Sequence, residues 1–433
     1  MNHWKIQRKM MAETRFQSPK GVRDILPEER VYWSIVEEAI RKITLLYGYE
    51  QLDLPVFEET ALFQRSVGEA TDIVEKEMYS FMDKGEKSIT LRPEFTAGVM
   101  RAFIEHSMDQ QPKPVKLYNI GQVFRYERPQ AGRFRQFSQF NVEALGEQDP
   151  ALDFEIMSVA YHLYNELGFK GLSFQINSIG CPACRPGYLD ALADFYKSRS
   201  HEICADCKNR MLQNPLRLLD CKQESCQPVI KAAPAVSDHL CAECRDHFIS
   251  LRAYLDEAKR PYTLNHRLVR GLDYYTKTVF EVWAEGIGAQ NAVCGGGRYD
   301  GLCEILGGKP TPGIGFAAGI DRIVMTLKAQ KSDVLHRPAA DVFFVTQGES
   351  AKAKAVGLAE TLRSAGISCG IAFGNRSLKA QFKEADKRNA RFTLVLGETE
   401  MTEQCVNVKD MAGSVQEKTG WEELSAFLIS KIG

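Results

Sequence analysis

The sequence predicts a mixed fold: an α+β domain that carries a cysteine-rich, mainly helical insertion, followed by a smaller α/β domain. Three observations predict it. An amphipathic helix and runs of alternating polarity open the chain, eight of the twelve cysteines crowd between residues 181 and 244, and strand-like and helix-like stretches alternate from residue 340 onward. At 433 residues the chain exceeds one ordinary core, so two or three domains are expected.

MNHWKIQRKMMAETRFQ has no apolar stretch of the kind a secretory signal carries, so it is not one, and residues 1–15 read as a short leader. No segment approaches the ~20 consecutive apolar residues that span a bilayer, so no membrane partner is expected. Without an export signal, the cysteines are expected as thiols or metal ligands and the chain as cytoplasmic. A formal net charge of −1 argues against a protein that coats nucleic acid non-specifically, and leaves room for a local basic site.

The α+β domain is expected over 16–330. Over 28–47, Val31, Ile35, Ala39, Ile43 and Leu46 recur one helical turn apart, and Gly48 sits where a helix ends. YEQLDLPVFE then alternates like a strand, with Pro55 favouring an edge. TAGVMRAFIEH reads as a helix, broken by QQPKPV. Next, KLYNIGQVFRYE and RFRQFSQFNVEAL flank PQAG, which predicts an antiparallel hairpin. Period-two geometry puts Arg133, Arg135, Phe137, Gln139, Asn141 and Glu143 on one face. Phe134, Ser138, Phe140, Val142 and Ala144 go to the other. Cations, an aromatic plane and a carboxylate on one face suit a small charged ligand, such as a nucleotide beside an amino acid. The competing reading is a solvated strand face.

The insertion spans about 177–260. Cys204-x2-Cys207 with Cys221-x4-Cys226 makes one compact four-thiolate set, and Cys181-x2-Cys184 with Cys241-x2-Cys244 could form a second. Alternatively, Cys181, Cys184, Cys204 and Cys207 together fit a zinc-ribbon spacing. Either way the chemistry suits a structural Zn²⁺; the bland reading is a set of reduced thiols. Beyond it, 262–283 is strand-rich and CGGGRYDGL opens a glycine-rich segment. This run matches neither G-x-x-x-x-G-K-[ST] nor G-x-G-x-x-G, so its glycines are read as allowing close backbone approach, with Arg298 and Asp300 as supports.

Residues 331–339 are polar, contain one proline and read as a linker into an α/β domain at 340–433. There DVFFVT, a helix over 350–365, ISCGIAF, a helix over 377–389, RFTLVLG and a last helix from about 421 predict a largely parallel sheet. Lys379, Lys383, Lys387, Arg388 and Arg391 crowd one helix and its exit, for which a solvated face is the commoner meaning.

FRYERPQAGRFRQF resembles motif 2 of class II aminoacyl-tRNA synthetases in its histidyl form. KGVRDILP resembles that family's N-terminal signature, and the helix–strand ending at Pro55 resembles its motif 1. LRPEFTAG, LVRGLDYYTKTVFEV, CGGGRYDGL and GIGFAAGIDRIVM follow in family order, the last resembling motif 3. The likeness runs from about residue 18 to the C-terminus. It implies a six-stranded antiparallel catalytic sheet flanked by helices, a homodimer and a C-terminal anticodon-binding domain. It also implies ATP-dependent activation of L-histidine, with Mg²⁺, and transfer to the terminal adenosine of histidine tRNA. Under this resemblance Arg125 contacts the α-phosphate, Phe137 stacks on adenine, Arg133 meets the pyrophosphate end and Arg322 clamps the γ-phosphate. Arg270 reaches both the substrate carboxylate and the α-phosphate. Glu94 and Thr96 hold the α-ammonium with Gln139 nearby, while Glu143 and Tyr275 read the imidazole; Tyr274 is equally a core aromatic. Phe95 stands where relatives often carry a smaller residue.

Two other classes compete. A non-catalytic regulatory subunit of ATP phosphoribosyltransferase shares the likeness, yet such paralogues typically lack the C-terminal domain and erode the ATP-binding arginines. Here Arg125, Arg270 and Arg322 are all present. A zinc-dependent nucleic-acid-binding protein is disfavoured by the near-neutral charge.

Overall fold

The structure, a computed structural model, describes residues 16–68, 71–128, 132–285, 292–330, 340–413 and 415–432. The expected leader at 1–15 and linker at 331–339 lie outside the described residues. The chain divides into two units, Met1–Asp333 and Val334–Gly433.

In the first unit the strands run in chain order as β1 (Glu50–Gln51), β2 (Phe57–Glu59), β3 (Tyr79–Met82), β4 (Ser88–Leu91), β5 (Val115–Phe124), β6 (Gln136–Leu145), β7 (Ser173–Ser178), β8 (Tyr262–Leu264), β9 (Thr276–Trp283), β10 (Ala292–Arg298) and β11 (Gly313–Gly319). Eight of them form one sheet in the order β1-β5-β6-β11-β10-β9-β7-β8. Its six inner strands pair antiparallel throughout. The short edge strands β1 and β8 pair parallel. The implied six-stranded antiparallel sheet is therefore present, extended by one short parallel strand on each edge. Strands β2, β4 and β3 make a small separate sheet.

Alternation along the inner strands sends one face to the core. Phe140, Val142, Phe280, Ile314 and Phe316 pack there with the helix Pro27–Leu46 and the helix Pro150–Glu166. The first helix buries Trp33, Val36, Ile40 and Ile43. Leu46, placed in the apolar stripe by the sequence, is instead 72% exposed, as is its neighbour Leu45 at 78%. The stripe begins from Trp33 and ends one turn early, at Thr44, whose hydroxyl bonds back to the carbonyl of Ile40.

Arg298 ties the sheet to its covering helix. It is fully buried and donates to Asp153 at 2.6 Å and to the carbonyls of Glu147 and Asp149. The other Asp153 oxygen meets His247 of the helix Ala242–Glu257 at 2.8 Å, so the insertion is anchored to the same buried carboxylate. A buried guanidinium is tolerated only with such full pairing.

The second unit has β12 (Val342–Thr346), β13 (Cys369–Ile371), β14 (Phe392–Leu396), β15 (Cys405–Asp410) and β16 (Gln416–Gly420), ordered β13-β12-β14-β15-β16. The first three are parallel, as the alternation implies. Strands β15 and β16 form an antiparallel hairpin that the sequence reading lacked. Three of the five β16 positions are exposed, so QEKTG shows no apolar alternation by which to recognise a strand.

Candidate active site

The second face of the antiparallel sheet holds the polar residues. Along β6, Gln139, Asn141 and Glu143 line one cavity of ≈ 200 Å³, while Phe140, Val142 and Ala144 between them enter the core. The segment preceding the helix Thr96–Glu105 adds Glu94, the first residue of that helix is Thr96, and the exit of β5 adds Arg125. Arg270, Tyr274 and Tyr275 come from the segment ahead of β9. Eight candidates from four distant stretches are thus gathered around one space, of a size suited to a small zwitterion.

Three candidates lie outside that lining. Phe137 is half-buried, with the Arg125 guanidinium 5.7 Å from its ring. Arg133 lines an adjoining cavity of ≈ 330 Å³ that shares Arg270 and Gly271 with the first. Arg322 is half-buried at the start of the helix Ile320–Ala329. Burial pushes its pKa down and the like charge of Arg133 adds to that, so the two cations act on each other. Strand β6 begins only at Gln136, which changes the expected alternation before it. Arg133 sits in an isolated bridge, and Arg135 lays its guanidinium 3.7 Å from the Tyr126 ring centroid and bonds the Glu127 carbonyl.

Glu143 is the electrostatic centre of the cavity. Its Oε1 accepts from the Thr96 hydroxyl at 2.6 Å and from Asn141 Nδ2 at 2.7 Å. Its Oε2 accepts from the Tyr299 hydroxyl. Burial drives its pKa up to about 7, against the pull of these three donors. Oε2 keeps acceptor capacity for one more N–H. Glu94 is held differently: its two oxygens accept from the backbone N–H groups of Thr96 and Ala97 at 2.6 and 2.8 Å, at the start of their helix. Burial raises its pKa too, opposed by those amides.

Two polar atoms here have no protein partner. Gln139 Oε1 and Arg270 Nε are buried and unpaired. The rest of Arg270 is fixed by Glu281 at 2.9 Å, itself held by Trp283 Nε1. Unpaired buried donors and acceptors in a cavity mark a ligand's place, because leaving them empty costs about 1–3 kcal/mol each.

The glycine run also finds its reason. A Cβ on Gly295 would fall 2.5 Å from Arg270 Nη1, and one on Gly315 would overlap the Glu143 carboxylate. The room goes to side chains of the site itself. Tyr299, within the same run, lines the cavity and was missed by sequence reasoning; its only signal is adjacency to glycines that must clear space. Phe95 does not reach the cavity: it is buried under the Arg92 guanidinium, 4.5 Å from its ring.

In the insertion, Cys181, Cys184, Cys241 and Cys244 come together, as do Cys204, Cys207, Cys221 and Cys226. Each group could hold a metal ion. The ribbon-like grouping of Cys181, Cys184, Cys204 and Cys207 is not the one adopted.

Comparison with known proteins sets this geometry among relatives. The family model described as histidyl-tRNA synthetase matches residues 21–323, and that of an anticodon binding domain matches residues 341–431. A histidine–tRNA ligase of Desulfitobacterium hafniense is 49% identical over 395 residues, covering 91% of this chain and 93% of the relative. One from Dehalococcoides mccartyi is 49% identical over 396 residues, 92% and 95% of the two chains. The crystal structure of apo S. aureus histidyl-tRNA synthetase superposes with a TM-score of 0.81 at 38% identity, covering 96% of this chain and 100% of that one. A Bacillus halodurans ATP phosphoribosyltransferase regulatory subunit/histidyl-tRNA synthetase shares the fold at 20% identity, with a TM-score of 0.63.

Proposed function

The chain belongs to the histidyl-tRNA synthetase family, and from that premise we propose how its residues carry out histidine–tRNA ligation. The enzyme is an aminoacyl-tRNA ligase. A histidine carboxylate oxygen attacks the α-phosphorus of ATP, the bond to the β-phosphate oxygen breaks, and pyrophosphate leaves. A hydroxyl of the terminal adenosine of histidine tRNA then attacks the activated carbonyl and AMP departs. Charge builds on phosphoryl oxygens in the first step, so positioning and well-placed cations supply most of the acceleration.

Arg270 takes the carboxylate and the α-phosphate, using the Nε and Nη donors that Glu281 leaves unengaged. Arg125 meets the α-phosphate from the opposite side, and Phe137 beside it offers the adenine platform. Arg133 and Arg322, whose like charges act on each other, receive the pyrophosphate end. Bound Mg²⁺ supplies further neutralisation of the phosphates. Glu94, Thr96 and the unpaired Gln139 oxygen accept the α-ammonium. Glu143 accepts an imidazole N–H, Tyr275 serves the second ring nitrogen, and Tyr274 packs beneath. The observation that carries this reading is Glu143, a buried carboxylate that lines the cavity and is oriented by three donors, with acceptor capacity left for a fourth.

The protein works as a homodimer with histidine tRNA as partner, the second unit binding the anticodon. Exposed Leu45 and Leu46 at the end of the motif 1 helix, with Val56 and Phe57, support a subunit contact there. Unbridged thiols throughout suit a reducing cytoplasm. No helix among the described residues is long and apolar enough to cross a membrane.

Charging is the direct test: the purified chain with ATP and Mg²⁺ should attach histidine to histidine tRNA, and absence of charging with a transcript that another such ligase accepts would contradict the reading. A pH dependence follows as well. Because burial raises Glu143 to about 7, the carboxylate form that accepts the imidazole N–H is lost as pH falls through that value. KM for histidine should therefore rise on acidification from pH 8 to 6. Free histidine titrates near pH ~6.5 in the same range, so Glu143→Gln is the comparator: its KM should be higher and should lack the part of the rise that belongs to Glu143. Superimposable profiles would rule out that carboxylate as the acceptor.

A further inference from the structure

We propose that the insertion binds two structural zinc ions, one in Cys181, Cys184, Cys241 and Cys244 and the other in Cys204, Cys207, Cys221 and Cys226. The distances fit. A tetrahedral ion with Zn–S bonds of ~2.3 Å holds its sulfurs ~3.8 Å apart. In the first quartet Cys181 and Cys184 lie 3.7 Å apart, Cys181 and Cys241 3.9 Å, and Cys184 and Cys244 3.9 Å. In the second, Cys204 and Cys221 lie 4.0 Å apart and Cys207 and Cys226 3.9 Å. Disulfides would need about 2.05 Å between sulfurs. Four sulfurs in each group, all mutually within 4.8 Å, leave no open coordination position, which makes the sites structural rather than catalytic.

The surroundings suit thiolates. The N–H of Cys181 donates to Cys184 Sγ at 3.3 Å, and that of Cys204 to Cys226 Sγ at 3.2 Å. A zinc bound by four thiolates carries a net charge of −2, and cations stand near both quartets. Arg185 follows Cys184 in sequence and is held by the carbonyls of Ile179, Gly180 and Tyr275. Cys204 and Cys221 share a cavity wall with Arg210, Arg217 and Lys222, and with Asp72, Asp206 and Asp220, of which Asp72 pairs with Arg217 and Asp220 with Lys222. Within the insertion's own core, Cys207, Cys221, Cys226 and Cys244 are buried beside Tyr188, Leu192, Tyr196 and Leu218.

These ions would also position the site. The first quartet reaches it through Arg185, which donates to the Tyr275 carbonyl at 2.5 Å. The second is tethered by Arg217, whose guanidinium pairs with Asp72 at 2.7 Å, and its cavity is the one containing Arg133 and Arg270.

Metal analysis of the purified full chain, prepared without chelators, should give two zinc ions per chain. Cys184→Ser and Cys207→Ser should each lower this to one, and Cys369→Ser in the second unit should leave two. X-ray absorption at the zinc edge of the unaltered chain should show four sulfurs per ion, so the result stands even if a variant fails to fold. Fewer than one zinc per chain, iron with inorganic sulfide in its place, or a shell mixing nitrogen or oxygen with sulfur would overturn the proposal. So would loss of both ions from each single-quartet variant with the fold intact.

Discussion

Arg270→Ala is expected to lower the rate of histidyl-adenylate formation by ~10²-fold or more, the scale of removing one preorganised transition-state donor. The guanidinium is clamped by Glu281, which Trp283 holds in turn, so in its proposed role it would act without reorganising. Gly295 clears the space in which it lies. A single-turnover measurement with saturating ATP reads this effect on the chemical step. Arg270→Lys keeps the charge but not the planar fork, and should recover only part of the loss. A rate within a few-fold of the parent would remove Arg270 from its assigned role. Unfolding temperature should change little, because the residue faces a cavity rather than the core.

Glu143→Gln should reduce kcat/KM for histidine by ~10–100-fold, the worth of a charge-assisted hydrogen bond of about 1.5–3 kcal/mol. The amide oxygen can still accept from two of the three donors that hold the carboxylate, whereas the amide nitrogen must meet the third, or the substrate, as a donor. The loss should appear chiefly in KM for histidine, with KM for ATP near the parent value. Equal increases in both constants would show that the substitution had deformed the whole cavity. Selectivity over other amino acids should fall along with it, since a hydrogen-bonding cage rejects a wrong side chain by leaving buried groups unpaired.

Gln139 and Glu143 are legible in the sequence because period-two alternation on β6 leaves polar residues where the opposite face is mostly apolar. Arg133 and Arg135 obey the same spacing on paper, but the strand begins after them, and only Arg133 stays beside a cavity. Resemblance supplies what spacing cannot. Nothing local links Glu94, Arg270 and Glu143, which come from three separate stretches of the chain and meet only around the folded cavity. Tyr299 was hidden inside a glycine run whose meaning depends on the neighbouring Arg270 and Glu143 side chains. Cysteine spacing is strictly local, so it showed the C-x2-C halves but left their partners open; Cys181 and Cys241 meet at a separation of 60 residues. In the second unit, apolar runs announced the parallel strands, and the exposed edge strand β16 announced nothing.

The most direct measurement of the central claim is exchange of labelled pyrophosphate into ATP with each proteinogenic amino acid supplied in turn. A cavity that reads an imidazole through Glu143 and activates its carboxylate through Arg270 predicts exchange with histidine alone, abolished or severely reduced in Arg270→Ala. No histidine-dependent exchange, or exchange driven as well by another amino acid, would contradict it.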